Sequence, residues 1–89
     1  MDIVDEVIEK IRNDSEVRRA RFSNKFLNDV GTVCSMHGYG AVRVFLMGRN
    51  DNEARALLKV LDIIEEKNLS VDLGTLIFKK LNAIKFARR

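Results

Sequence analysis

The stretch from residue 50 to residue 67 constrains the fold most, because its apolar side chains recur with the period of an α-helix. The residues that form this apolar face are Ala54, Leu57, Leu58, Leu61 and Ile64. Asn50, followed three residues later by Glu53, resembles a capping box at the start of the segment. The sequence therefore predicts an amphipathic helix that ends near Lys67 and buries one face in a core.

The segments on either side of this helix have the composition of strands. Ala41 to Met47 is an apolar run interrupted by Arg43, which is typical of a strand covered on both faces. Leu69 to Leu73 alternates apolar and polar residues, the pattern of a half-buried strand. The order strand, helix, strand predicts a parallel pair joined by a right-handed crossover.

The first half of the chain predicts two further helices. Residues 2 to 13 carry an apolar stripe at helical spacing, and a second helix begins after Ser23 and ends at Gly38. Between them, the arginine-rich segment from Val17 to Phe22 fits either a short strand or a continuation of helix. We favour the strand for this segment.

Residues 74 to 88 fit two different structures. Helical spacing links Leu73, Ile77, Leu81 and Ile84, whereas the β-branched and aromatic content fits a hairpin that turns near Asn82. The local pattern leaves both alternatives open.

The length and composition indicate one small globular domain, residues 1 to 89, with 46% apolar and 33% charged residues. A core of this size leaves a chain marginally stable by itself, which favours self-association as a homodimer. Cys34 has no second cysteine with which to form a disulfide, and no apolar run reaches the length of a membrane span. We therefore expect a cytoplasmic protein without a membrane partner.

The side chains that catalysis requires are few. Cys34 and His37 stand one helical turn apart and are candidates for half of a metal site or for a thiol and base pair. We expect them instead to be a buried pair on the apolar face of their helix, because no further ligands are evident. Gly38 and Gly40 precede a predicted strand, so they do not suit a phosphate-binding loop. We expect neither enzyme activity nor a metal or cofactor.

The turn before the amphipathic helix is the most informative local motif, and it reads Gly48-Arg49-Asn50-Asp51-Asn52-Glu53-Ala54. A guanidinium, amide side chains and free backbone N–H groups meet in this turn, a combination that suits a phosphate contact. The alternative is that Asn50 only caps the helix and Arg49 is a solvated surface charge.

This turn resembles the signature of the Alba family of archaeal chromatin and RNA-binding proteins. Phe26-Leu27-Asn28-Asp29-Val30 and Asn82-Ala83-Ile84-Lys85-Phe86 resemble that family's first helix and last strand. The resemblance covers residues 17 to 88 and implies an α+β fold, a two-layer β-α-β-α-β-β sandwich, with residues 1 to 14 as an additional N-terminal helix. It also implies a homodimer that binds nucleic acid along a basic surface beside the last hairpin. On this basis we interpret residues 74 to 88 as a hairpin.

We predict a non-catalytic protein that binds the phosphate backbone of DNA or RNA, in a chromatin, nucleoid or RNA-associated role. The net charge is +3, and no acidic residue follows Asp72. The candidate binding residues are Arg21, Lys25, Arg43, Arg49, Asn50, Asn52, Lys79, Lys80, Lys85 and Arg88. The rival prediction is a scaffold subunit whose first helix binds a protein partner through Ile3, Val7 and Ile11.

Overall fold

The computed structural model describes residues 2 to 86, which form seven helices. Their bounds are α1 Ile3–Asn13, α2 Ser15–Arg19, α3 Asn24–His37, α4 Tyr39–Met47, α5 Asn52–Glu66, α6 Val71–Lys79 and α7 Leu81–Phe86. Residues 2 to 86 contain no β-strand, so the predicted α+β sandwich is wrong.

Three helices, α1, α3 and α5, confirm the predictions made from apolar periodicity. At the start of α1 the Asp2 carboxylate accepts a hydrogen bond from the backbone N–H of Asp5 at 2.9 Å. The Ser23 hydroxyl accepts from the backbone N–H of Phe26 at 3.1 Å and so caps α3. That helix ends at Gly38, whose φ of 87° is readily adopted only by a residue without a Cβ.

The apolar run from Ala41 to Met47 lies in α4 and is not the predicted central strand. Val42 and Leu46, one helical turn apart, are buried, whereas Val44 is 74% exposed. One face of the run is therefore covered, rather than both. A short apolar run has no internal pattern that separates a strand from a packed helix, which explains the error.

The predicted strand from Val17 to Phe22 is also absent. Asp14 ends α1 and caps α2, because its Oδ1 accepts hydrogen bonds from the backbone N–H groups of Glu16 and Val17 at 2.9 and 3.1 Å. The helix continues to Arg19. The capping carboxylate thus selects the helical alternative for the first part of this segment.

The predicted strand at Leu69 to Leu73 and the predicted hairpin that follows it are wrong within the described residues. The Ser70 hydroxyl accepts from the backbone N–H of Leu73 at 3.3 Å and caps α6. The apparent alternation therefore joins a buried loop residue, Leu69, to the first turn of a helix. Ile77 and Leu81 are both buried, as the helical alternative for this segment requires.

The core is formed by the apolar faces of all seven helices. α5 packs against α1, α2 and α4, while α3 packs against α4 and α6. Burying one large apolar side chain completely contributes roughly 1.5–3 kcal/mol. The largest of the fully buried side chains are Phe78, Ile11, Leu27, Leu46, Leu57, Leu61, Ile64 and Leu81.

Tyr39 joins the first turn of α4 to the start of α6. Its hydroxyl donates to the backbone carbonyls of Leu69 and Ser70, at 2.8 and 2.6 Å. Burial raises the pKa of Tyr39 to about 12, and negative charge at Cys34 and Glu65 acts in the same direction. The hydroxyl must keep its proton to donate, so this connection depends on pH.

We expect the stability of the fold to fall at high pH because Tyr39 is forced to ionise. The folded state holds the tyrosine proton more tightly than the unfolded state, whose pKa is about 10. The contribution is therefore complete below about pH 10 and is lost as the pH rises towards the folded pKa of about 12. Tyr39 is the one tyrosine of the chain, so tyrosinate absorbance reports it directly. Equal titration of folded and urea-unfolded chains would contradict this prediction, and Tyr39→Phe is the control.

Two glycines within helices mark close contacts of different kinds. A Cβ on Gly74 in α6 would meet the hydroxyl of Tyr39 and lie 2.7 Å from its Cε1. A Cβ on Gly31 in α3 would meet the stem of Lys79, with Cγ at 2.5 Å. The Tyr39 ring is held by its hydrogen bonds, whereas the stem of an exposed lysine can move aside.

We expect Gly74→Ala to destabilise the fold by about 1–3 kcal/mol, because overpacking against Tyr39 outweighs the helix propensity gained, about 1 kcal/mol. Gly31→Ala gains the same propensity and displaces only the flexible Lys79 stem. Its free energy of unfolding should therefore change by less than about 1 kcal/mol. Urea denaturation of the two variants measures the difference, and equal losses would contradict the proposed role of Tyr39.

Candidate nucleic-acid interface

The turn predicted to contact phosphate has a different N-cap from the one predicted. Asp51, rather than Asn50, caps α5, because its Oδ1 accepts from the backbone N–H of Ala54 at 2.7 Å. Asn50 has a φ of 54°, in the left-handed region that asparagine adopts more readily than most residues. The capping carboxylate places negative charge at the helix terminus where phosphate was predicted to bind.

Two of the predicted cations near this turn are paired with carboxylates. The guanidinium of Arg49 lies 3.2 Å from the Asp51 carboxylate and 4.3 Å from the centre of the Phe26 ring. Lys25 pairs with Asp29 at 3.2 Å, one turn further along α3. Each pair is locally neutral, so neither side chain contributes net positive charge to the predicted surface.

Arg43 connects α4 to α5 rather than facing a ligand. Its Nη2 lies 2.6 Å from Glu65 and 2.8 Å from Asp62, and the hydrogen bonds to these carboxylates raise the pKa of Arg43. Two carboxylates around one guanidinium leave this part of the surface with an excess of negative charge. A phosphate at Arg43 would be repelled by both.

Lys79 and Lys80, the next two predicted lysines, lie in different surroundings. The stem of Lys79 lies over Gly31 on α3, and Lys80 lines an apolar groove formed with other helices. Arg88 lies outside the described residues. Because Lys25, Arg43 and Arg49 are each paired with carboxylates, these three side chains do not form the unpaired basic strip predicted to include Arg49.

A different basic site lies between α2 and α5, in a cleft of about 440 Å³. We call it the arginine cleft, and its lining residues are Glu16, Arg19, Ala20, Asn52 and Arg55. Arg19 comes from the end of α2 and Arg55 from the first turn of α5, and the packing of these two helices brings them together. Asn52 Oδ1 accepts a hydrogen bond from the guanidinium of Arg55.

The arginine cleft is flanked in the chain by two more exposed arginines, Arg18 and Arg21. Within residues 2 to 86, neither these two nor Arg19 forms an ion pair. Glu16, the one carboxylate among the described lining residues, is paired with Lys59 at 3.8 Å. The cleft and its flanks therefore carry excess positive charge, unlike the predicted turn.

Lys85 and Asn82 of α7 fix the segment that leads out of the cleft. The Nζ of Lys85 donates to the carbonyl of Ala20 and lies 5.1 Å from the centre of the Phe22 ring. Asn82 Nδ2 donates to the carbonyl of Phe22 at 2.9 Å. Burial lowers the pKa of Lys85, and the charge of Arg21 lowers it further. Lys85, predicted to bind phosphate, instead holds the arginine-rich segment in position.

Part of this site is visible in the sequence. Three arginines occur between residues 18 and 21, although only Arg21 is among the predicted binding residues. No local pattern links Arg19 to Arg55, because their approach depends on the packing of α2 against α5. Sequence reasoning therefore misses the cleft, although the density of arginine points to one of its walls.

Cys34 and His37 do not form the predicted buried pair. Cys34 is buried and burial raises the pKa of its thiol, whereas His37 is exposed in the last turn of α3. A buried thiol with a raised pKa is a poor nucleophile. In the part of the chain that is described, no three His, Cys, Asp or Glu side chains are grouped to hold a metal ion.

The predicted protein-binding stripe of the first helix faces inward. Val7 and Ile11 are fully buried in the core, and Ile3 is 46% exposed. The domain itself covers most of this stripe, so a partner cannot bind to it in the predicted form.

Comparisons with known proteins gave no match among family models, curated proteins or solved structures. They neither support nor contradict the resemblance of residues 48 to 54 to the Alba family, although the fold implied by that resemblance is wrong. Among residues 2 to 86, no helix has the length and apolar character needed to cross a bilayer.

We expect Asp51→Ala to lower the free energy of unfolding by about 1 kcal/mol, because it removes the N-cap of α5. Asn50→Gly serves as the control, since glycine adopts the left-handed conformation of this position without strain and should leave stability unchanged or slightly higher. Chemical denaturation of both variants measures the effect. A larger loss in the Asn50 variant would show that the cap is assigned to the wrong residue.

Proposed function

We propose that the protein binds the phosphate backbone of nucleic acid through the arginine cleft and its flanking arginines, without reading the base sequence. The observation that carries the proposal is the convergence of Arg19 and Arg55, from two helices, on one open cleft. Arg18 and Arg21 are neighbours of the lining residues Arg19 and Ala20 in the chain, and both are exposed. We propose a binding role rather than a catalytic one.

Arginine is the side chain best suited to this task. Its planar guanidinium remains charged and presents a fork of N–H donors that matches two phosphate oxygens. Each phosphate contact releases condensed counterions, so binding by such a site depends steeply on salt. None of the described residues that line the cleft is aromatic, and the Asn52 amide oxygen already accepts a hydrogen bond from Arg55. The cleft therefore offers contacts to the backbone rather than to bases.

Charge balance favours the cleft over the turn at Arg49. Exposed ion pairs contribute only about 0.2–1 kcal/mol, so the pair of Arg49 with Asp51 does not by itself prevent a rearrangement. A phosphate that displaced Asp51 from Arg49 would still lie close to that carboxylate. Among the described residues that line the cleft there is one carboxylate, Glu16, against two arginines, and Glu16 has Lys59 as its partner.

Phosphate is common to DNA and RNA, so the proposal covers a DNA-associated or an RNA-associated role. The preference between duplex and single strand depends on how well the spacing of the arginines matches each backbone. Titration against duplex DNA, single-stranded DNA and structured RNA at two salt concentrations measures that preference.

We expect the double variant Arg19→Gln with Arg55→Gln to weaken binding to duplex DNA of any sequence. If both arginines contact phosphate, the slope of log affinity against log salt falls by about 1.8, since each duplex contact contributes about 0.9. Fluorescence anisotropy with a labelled duplex over a range of salt concentrations measures the slope. The fold should be intact, because both side chains are exposed.

The matched control is Lys10→Gln with Lys25→Gln. This control removes two positive charges, as the cleft variant does. The two lysines are exposed, and each is paired with one carboxylate. The control should leave the salt slope nearly unchanged. If the two double variants lower the salt slope equally, binding depends only on the overall charge. If the variant of Arg19 and Arg55 binds duplex DNA as the wild type does, the cleft is not part of the binding surface.

A further inference from the structure

The described residues also form an apolar groove on the surface made by α1, α6 and α7, distinct from the arginine cleft. Its volume is about 410 Å³, and α7 packs against both α1 and α6. We call it the apolar groove, and its lining residues are Val4, Ile8, Arg12, Leu73, Leu76, Ile77, Lys80, Ala83 and Ile84. Leu76 is 51% exposed, and Leu73 is 37% exposed.

An exposed apolar surface of this kind favours binding to a partner. Its leucine side chains are in contact with water, and a partner that covered them would remove that apolar area from water. Seven of the nine lining residues are apolar, and the other two, Arg12 and Lys80, are cations. No carboxylate lines the groove within the described residues. Apolar walls with positive charge therefore define the chemistry of the occupant.

The groove has the length of a short helix. On α1 the lining residues Val4, Ile8 and Arg12 repeat every four residues, which spans about 12 Å at a rise of 1.5 Å per residue. A second row runs from Leu73 on α6 to Lys80, the residue that caps the end of α6, and covers a similar length. Each row begins with apolar side chains and ends in a cation. A partner helix of two to three turns matches this arrangement.

We infer that the apolar groove binds an acidic amphipathic helix of a partner protein. The apolar face of that helix would lie on the groove, and its acidic side chains would meet Lys80. Lys80 is exposed and has no ion pair with any of residues 2 to 86. This site is separate from the arginine cleft, and it does not depend on the function proposed for that cleft.

Charge argues against a second copy of the chain as the occupant. A symmetric dimer formed through this groove would place the same surface of each copy against the other. Lys80 of one copy would then enter an interface in which the described lining residues of neither copy include a carboxylate. A cation without an opposite charge in an interface is unfavourable, whereas glutamate or aspartate on a partner helix would complement it.

The test uses the full chain and three labelled synthetic peptides measured by anisotropy. The first is an amphipathic helix with a leucine face and flanking glutamates. The second replaces each glutamate with lysine, and the third scrambles the first so that the leucine face is lost. We expect the first peptide to bind at least about tenfold more tightly than either of the others. Binding no tighter than that of the lysine or scrambled peptide would overturn the inference.

Three variants locate the binding. Leu76→Asp should lower the affinity for the first peptide by about tenfold or more, because it places a charge among the apolar side chains that line the groove. Val44→Asp is the matched control, since Val44 is an even more exposed apolar residue on α4, outside the groove, and should leave binding unchanged. Lys80→Glu should abolish the preference for the glutamate peptide over the lysine peptide.

The remaining outcomes are equally decisive. If Leu76→Asp binds the first peptide as tightly as the wild type, and circular dichroism shows that the variant is folded, the peptide does not bind in the apolar groove and the inference is wrong. Sedimentation that reveals a dimer of the wild type, dissociated by Leu76→Asp but not by Val44→Asp, would replace the partner helix with a second copy and overturn the inference. The double variant Arg19→Gln with Arg55→Gln should bind the first peptide as tightly as the wild type does. This result would show that the groove and the cleft are independent binding sites.

Discussion

The structure depends on the burial of the apolar face of α5. Leu57, Leu61 and Ile64 are fully buried, and the helix packs against α1, α2 and α4 at once. At roughly 1.5–3 kcal/mol for each buried side chain of this size, this one face supplies a substantial part of the apolar burial that offsets the entropy lost on folding. Its packing against α2 also brings Arg19 to Arg55, so the candidate site is a direct consequence of the core.

The sequence predicts the helices that have long apolar periods and fails where the segments are short. α1, α3 and α5 extend over three or more turns, which leaves no ambiguity about their period. α4 has nine residues, and its run of apolar side chains includes Val44 and Met47, which face solvent. Exposed apolar residues hide the period of a short helix, because the pattern no longer distinguishes the two faces.

The end of the chain shows how a resemblance can override local evidence. The spacing of Ile77 and Leu81 fits a helix, and both side chains are buried in helical structure. The preference for a hairpin comes only from the likeness to the Alba family.

The candidate site could be predicted only in part, since the arginine-rich segment is visible in the sequence. Its approach to α5 is a tertiary contact that has no local signature.

The unpaired arginines follow from the order of charges along the chain. Residues 17 to 28 include no acidic residue, and the nearest carboxylates on either side are Glu16 and Asp29. Each of these is already paired with a lysine, so the arginines between them have no carboxylate partner in the part of the chain that the structure describes. Burial is the main cause of the lowered pKa of Lys85, and the positive charge of Arg21 lowers it further. A polyanion would complement exposed arginines that lack a carboxylate partner among the described residues, which is the physical reason for the phosphate-binding proposal.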